Sequence, residues 1–289
     1  MISTLTVQTP RSLAEAYALL QTHAGRIKVL AGGTDLMVTL NARVEVPPAY
    51  LNIWPLQELR GITETANGIR IGALTTYTQI IHSPLVQQHA RILIEAAKSV
   101  GAAQIQNRGT LGGNVVNASP AGDTLPVLAV LEAELEIGSA RSIRNTPFKQ
   151  FYTGYRKTAL AADELLLAIH LPKSNAGVWQ CYRKVGTRQA QAISKVVMAL
   201  VARVDAMRRV ETVRIAYGSV APTVVRAPKT ENLLTAQVLT ENLIAQARQT
   251  AMQEVHPISD VRSTADYRRL VSGNILARGL HELLASTLL

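Results

Sequence analysis

The sequence predicts an α+β protein built in two parts. Strand-like segments alternate with helical patterning through residue 172; the run Pro172-Lys173-Ser174-Asn175-Ala176-Gly177 reads as a linker; beyond it strands come first and helices last. That last order suits a sheet with helices on one face.

The opening reads strand, helix, strand. Thr4 to Val7 alternate, then Ser12 and Glu15 form a capping box ahead of the apolar positions Leu13, Ala16, Tyr17 and Leu20. A short strand, Ile27 to Leu30, runs directly into Gly32-Gly33. After a proline-bearing loop at Pro47-Pro48, strands are expected at Tyr50 to Ile53 and Ile69 to Ala73, with Asn67-Gly68 supplying the turn before the latter. Helical patterning returns from Leu85 to Val100 and closes on a second glycine turn, Gly109 to Gly113. Leu125 to Leu131 reads as helix, and Ala133 to Ile137, Glu164 to His170 and Tyr182 to Val185 as strands. Strands near Ala192 to Val204 and Val210 to Val220 precede helices at Glu241 to Glu254 and Ala265 to Leu288.

With 289 residues, 47% hydrophobic and 17% charged, the chain has the material for one large or two medium cores and falls outside the disordered and coiled-coil classes. A single cysteine, Cys181, makes no internal disulfide and cannot ligate an iron–sulfur cluster alone, which points to reducing cytoplasm. Residues Met1 to Thr6 lack the basic and apolar regions of a signal peptide. No apolar stretch approaches the roughly 20 residues of a membrane-spanning helix. The net charge of +10 raises a nucleic-acid reading, but the basic residues are scattered and aromatic residues make up only 4%, leaving no stacking platform. We therefore expect neither nucleic-acid binding nor a membrane span. The histidines are scattered too, and His82 and His89, seven apart in a possible helix, read as surface residues and not as ligands.

The strongest local signal is Val29-Leu30-Ala31-Gly32-Gly33-Thr34-Asp35-Leu36, a strand ending in paired glycines and a hydroxyl. Such glycines accept positive φ and let backbone amides converge on an anion, a nest suited to a pyrophosphate. A second block of this kind is Arg108-Gly109-Thr110-Leu111-Gly112-Gly113-Asn114. One pair alone serves a hairpin or a helix cap equally well; two, each with a nearby threonine, can grip a long dinucleotide from both ends. Neither the G-x-G-x-x-G nor the G-x-x-x-x-G-K-[ST] signature is present. Downstream, Asn117-Ala118-Ser119-Pro120-Ala121-Gly122-Asp123-Thr124 places an acid and two hydroxyls on a loop, where Asp123 also suits a helix N-cap.

These blocks resemble the flavin (medium) subunit of the xanthine dehydrogenase and carbon monoxide dehydrogenase family. The likeness continues through Gly154-Tyr155-Arg156-Lys157-Thr158, Asp163-Glu164-Leu165-Leu166, Tyr182-Arg183-Lys184-Val185-Gly186, Ala216-Tyr217-Gly218, Ala221-Pro222-Thr223, Ser259-Asp260 and Tyr267-Arg268, nearly the whole chain in order. The resemblance implies a two-lobed FAD-binding domain of the vanillyl-alcohol-oxidase (PCMH) type over residues 1–172, with lobes of about 1–55 and 56–172. A smaller α+β C-terminal domain, 173–289, completes the pocket.

By motif position it implies that Leu30, Ala31, Gly32, Gly33, Thr34 and Asp35 wrap the FAD pyrophosphate, assisted by Thr110, Gly112, Gly113 and Asn114. Ser119 and Asp123 fall near the flavin, Leu166 against its ring and Lys184 at its pyrimidine edge. Val100 stands where some relatives carry an aromatic ring, and Gln106 where many carry arginine. With Cys181 alone, the chain lacks the cysteine-rich insertion of relatives that reduce aromatic thioesters.

The resemblance further implies two partner subunits, a large one with molybdenum cofactor and a small one with two 2Fe-2S clusters. FAD would relay electrons to an external acceptor: NAD, oxygen or a quinone. A stand-alone FAD-dependent oxidoreductase of the same fold is the alternative, recognisable by a catalytic acid or covalent flavin anchor. A nucleic-acid or scaffold protein with purely structural glycine turns is the reading from another class.

Overall fold

The computed structural model describes residues 6–23, 25–42, 49–175, 177–188 and 191–286. Thr4, Leu5, Pro47, Pro48, Ala176 and Leu288, which belong to the expected first strand, proline loop, linker and last helix, lie outside them.

The chain first builds a small parallel sheet from β1 (Thr6–Gln8), β2 (Ile27–Leu30) and β3 (Ala49–Asn52), in the order β1-β3-β2. Helix α1 (Leu13–His23) links β1 to β2, and α2 (Leu36–Asn41) follows the first glycine block. The Ser12 hydroxyl accepts the Glu15 amide at 3.2 Å, while the Glu15 carboxylate takes the Arg11 amide at 2.7 Å, one residue before the expected position. Ala16, Tyr17 and Leu20 bury against Leu51 and Ile53.

The second part begins with β4 (Ile62–Thr65) and β5 (Gly68–Gly72), then runs through α3 (Tyr77–Ile81), α4 (Pro84–His89), α5 (Arg91–Lys98), α6 (Ala103–Arg108), α7 (Leu111–Asn117) and α8 (Leu125–Val130). It ends with β6 (Glu134–Gly138), β7 (Ile143–Pro147), a small hairpin of β8 (Tyr152–Gly154) and β9 (Lys157–Thr158), and β10 (Leu165–Pro172). The sheet is antiparallel, ordered β4-β5-β10-β6-β7. The single helix expected over 85–100 is two, broken where Ala90 leaves helical geometry at φ −152, ψ 51. His82 caps the end of α3 while His89 ends α4, which Ser83 and Pro84 start, and His89 is buried at 6% exposure rather than on the surface.

The third part is the antiparallel sheet of β11 (Trp179–Val185), β12 (Val196–Val204), β13 (Val210–Gly218) and β14 (Val225–Arg226), followed by α9 (Pro228–Leu234), α10 (Glu241–Glu254) and α11 (Ala265–Ala285). Strand β12 begins four residues later than the expected 192. Its unbroken apolar run has a physical reason. Val196, Met198, Leu200 and Ala202 join a core with α10 and α11, whereas Ala199 and Val201 join the core containing Val127, Leu128 and Val130 of α8. Both faces of the sheet are covered, so period-two polarity disappears.

Part of the expected linker segment is folded. Residues Lys173–Asn175 form a 3₁₀ turn in which Asn175 is 1% exposed. Its Nδ2 donates to the Leu131 carbonyl at 2.8 Å and its Oδ1 accepts from Arg214 at 2.6 Å. A side chain that joins β13 to the end of α8 is a staple, not an open tether. Among the described residues no helix is long and apolar enough to cross a membrane.

Candidate functional site

The two glycine blocks touch. A Cβ placed on Gly32 would lie 1.8 Å from the Arg108 carbonyl oxygen, so only glycine lets these backbones approach so closely. Gly33 carries the positive φ, +78. The second block is not a bend. Thr110 is the N-cap of α7, its Oγ1 accepting the Gly113 amide at 3.1 Å, and Gly112 and Gly113 form the first helical turn. Gly112 is required by packing, because a Cβ there would meet Ala73 at 2.6 Å.

Beside these contacts opens a cleft of about 770 Å³, bounded by all three parts of the chain. Asp35 enters from the first glycine block, Val100 and Ile105 from the segment after α5, and Asn114, Ser119 and Asp123 from α7 and its following loop. Ser194, Ser219, Asp260 and Arg268 close the far side. The Asn114 Oδ1 accepts the Thr124 hydroxyl at 2.6 Å, which ties α7 to the start of α8.

Asp123 is not a helix cap; Thr124 occupies that position. The Asp123 carboxylate, 11% exposed, accepts from the Lys184 ammonium, 9% exposed, at 2.7 Å. Lys184 also donates to the Ser99 carbonyl at 2.9 Å, and the Ser99 hydroxyl bonds the Tyr182 hydroxyl at 2.9 Å. Burial pushes the Asp123 carboxyl up to about 6, against the charge and hydrogen bond of Lys184, which pull it down. Its second oxygen, Oδ1, is buried without a hydrogen-bond partner.

Of the residues singled out from sequence, Asp35, Val100, Asn114, Ser119 and Asp123 line the cleft. Leu30, Ala31, Gly32, Gly33 and Thr34 form the strand end and loop that deliver Asp35, and Thr110, Gly112 and Gly113 form the turn that presents Asn114. Lys184 stands behind Asp123, while Leu166 is 5% exposed within the β10 core and is not among the lining residues. Sequence reasoning did not place Tyr182, Asp260 or Arg268 in the site, although each falls in a segment quoted for the family likeness. A contact across many tens of residues leaves no periodic signal. No cluster of three metal-ligating side chains occurs among the described residues.

A cleft of this volume, part backbone and part apolar, takes a small-molecule or cofactor ligand. Residues 3–174 match the model of the FAD binding domain in molybdopterin dehydrogenase, and 180–283 that of the CO dehydrogenase flavoprotein C-terminal domain. The chain is 34% identical over 259 residues to the xanthine dehydrogenase FAD-binding subunit of Escherichia coli O157:H7, covering 89% of this chain and 88% of that one. It is 31% identical over 272 residues to the carbon monoxide dehydrogenase medium chain of Hydrogenophaga pseudoflava, covering 94% of each. A solved carbon monoxide dehydrogenase from Hydrogenophaga pseudoflava superimposes with a TM-score of 0.94 over 99% of both chains, at 31% identity. The chain therefore belongs to the family of FAD-binding subunits of molybdopterin-dependent dehydrogenases, the flavoprotein subunits of molybdenum hydroxylase complexes.

The residues present fit that cofactor. The cleft is lined by Asp35 from the first glycine block, Asn114 from the second and Asp123 from the loop after α7, and the Asp123 Oδ1 is a buried acceptor with no partner in the protein.

Proposed function

We propose that this chain is the electron-relaying subunit of a cytoplasmic molybdenum hydroxylase, holding FAD in the cleft between its glycine loops and Asp123. Electrons arrive from the 2Fe-2S clusters of a small partner subunit, downstream of a large molybdenum-cofactor subunit, and leave to an external acceptor: NAD, oxygen or a quinone. A bound flavin accepts electrons singly and releases them in pairs, chemistry that belongs to the cofactor. The chain's part is to bind, orient and tune.

In this reading residues Leu30 to Asp35 hold the diphosphate, with Thr110, Gly112, Gly113 and Asn114 supporting them. Val100 supplies an apolar contact, Leu166 supports the site from the core of β10, and Ser119 and Asp123 supply polar contacts. Lys184 stabilises negative charge that grows on the ring system, an electrostatic role like that of an oxyanion site. The domain division we propose is 1–172, with lobes of about 1–55 and 56–172, and 173–289.

The observation that carries the proposal is the buried Asp123–Lys184 pair beside the cleft that Asp123 lines, with Asp123 Oδ1 buried and without a partner. The test starts with the full chain, purified and reconstituted with FAD. An oxidised-flavin spectrum with stoichiometric FAD on release supports the site; a colourless protein under saturating FAD sinks it. For the relay, the flavin of the assembled complex should be reduced by organic substrate only when the iron–sulfur subunit is present. Equal reduction without that subunit refutes the relay.

A further inference from the structure

We infer that Arg268 is a positioning residue for the bound cofactor, fixing the far wall of the cleft from within, so that a side chain of the last helix helps to set flavin affinity. The inference rests on the reading that FAD occupies the cleft.

Arg268 lies one turn inside α11, whose N-cap Thr264 accepts the Tyr267 amide at 3.2 Å. Only 4% of it is exposed, yet it is among the residues lining the cleft. Its Nη1 donates to the Ser219 carbonyl at 2.7 Å and to the Lys195 carbonyl at 3.2 Å, and its Nη2 to Asp260 Oδ1 at 2.7 Å. One guanidinium thus holds together the entry to β12, the exit of β13 and the loop before α11.

Each of those segments contributes to the cleft: Ser194, Ser219 and Asp260 line it. The bonding continues outward. The Ser194 and Ser219 hydroxyls meet at 2.8 Å, and the Ser219 amide donates to the Pro120 carbonyl at 2.8 Å, three residues before Asp123. Asp260 Oδ1 also takes the Arg262 amide at 2.8 Å and so shapes its own loop. Displacing Arg268 would release a wall that is tied through Ser219 to the loop carrying Asp123.

Fold stability alone is a weak explanation for a buried arginine with one carboxylate, because desolvation consumes much of the gain. The planar fork explains the residue type, since two carbonyls and a carboxylate are met from a single side chain. Its Nε–H is buried and unpartnered. Leaving such a donor unmet is costly unless a ligand acceptor satisfies it.

The test uses the full chain as wild type, Arg268→Met, Arg268→Lys and Arg269→Ala, with FAD dissociation constants from flavin emission and apo-protein melting by circular dichroism. Arg269 is the control, on the same helix but exposed and paired with Asp266 at 2.7 Å. Arg268→Met should weaken FAD binding by about tenfold or more, the factor carried by one lost charge-assisted hydrogen bond. Arg268→Lys should recover part of that loss, and Arg269→Ala should stay within about twofold of wild type. A folded Arg268→Met protein that binds FAD as wild type does, whatever its melting point, overturns the inference alone. If Arg268→Met does not fold, Asp260→Asn, which leaves the carbonyl contacts in place, should still weaken FAD binding several-fold, and unchanged affinity there overturns the inference equally. Failure of the wild type to bind FAD would remove the underlying reading as well.

Discussion

Lys184 Nζ lies 2.7 Å from Asp123 Oδ2, and both side chains are close to nine-tenths buried, at 9% and 11% exposure. The partners come from β11 and from the loop between α7 and α8, so the pair exists only when the third part of the chain packs on the second. The other Asp123 oxygen, Oδ1, is buried without a hydrogen-bond partner.

The pair predicts a pH dependence. Asp123 is raised from 3.8 to about 6, so between these values the folded chain holds a proton that the unfolded chain has released. Stability from this group is therefore fully present below about 3.8 and is lost as pH rises through about 6, after which it stays level. A carboxyl infrared band absent from Asp123→Asn should titrate near 6, and Lys184→Met should move it higher by removing the stabilising cation. A midpoint in the ordinary carboxylate range would contradict the buried pair.

Gly32→Ala and Gly33→Ala should differ. The first places a Cβ 1.8 Å from the Arg108 carbonyl oxygen, which only backbone movement can relieve. The second imposes φ +78 on alanine without a clash, a strain of about 1–2 kcal/mol. Gly32→Ala should abolish FAD retention and lower the melting temperature further than Gly33→Ala. Equal effects would show that the loops are not in contact.

Thr110→Ala removes the acceptor for the Gly113 amide and should cost about 1 kcal/mol, while Thr110→Ser should be nearly neutral. Denaturant unfolding measures both. FAD affinity should fall with the alanine change because Asn114 rides on the same turn.

Asn175→Ala should destabilise the chain by roughly 2 kcal/mol, because the Leu131 carbonyl and the Arg214 guanidinium both lose a buried partner. Limited proteolysis near residue 176 should accelerate in the variant. An unchanged cleavage rate would restore the picture of an open linker.

Much of the secondary structure was legible from residue patterns. The strand Ile27–Leu30 and the helix Glu241–Glu254 appear with the boundaries expected of them, because a strand ended by glycines and a capped amphipathic helix are local in origin. Helix α6 escaped notice because its six residues carry no buried face. The polar β7, with one buried position, Thr146, is stabilised by its neighbour β6 and not by its own pattern. The break at Ala90 has no Gly or Pro to announce it.

Local chemistry also marked part of the site. Gly33, Thr110 and Asp123 stood out as a paired glycine, a hydroxyl beside the second glycine block and a loop carboxylate, each a signature within a few residues. What the amino-acid order determined by itself is thus the two glycine blocks, the α+β class and the family likeness, all short-range or motif-borne. Tertiary structure alone decided that Gly32 abuts Arg108, that Lys184 is a buried partner of Asp123, and that Arg268 closes the wall. The reason is physical: close packing and desolvated charge pairing join segments far apart in the chain, and neither leaves a periodic trace along it.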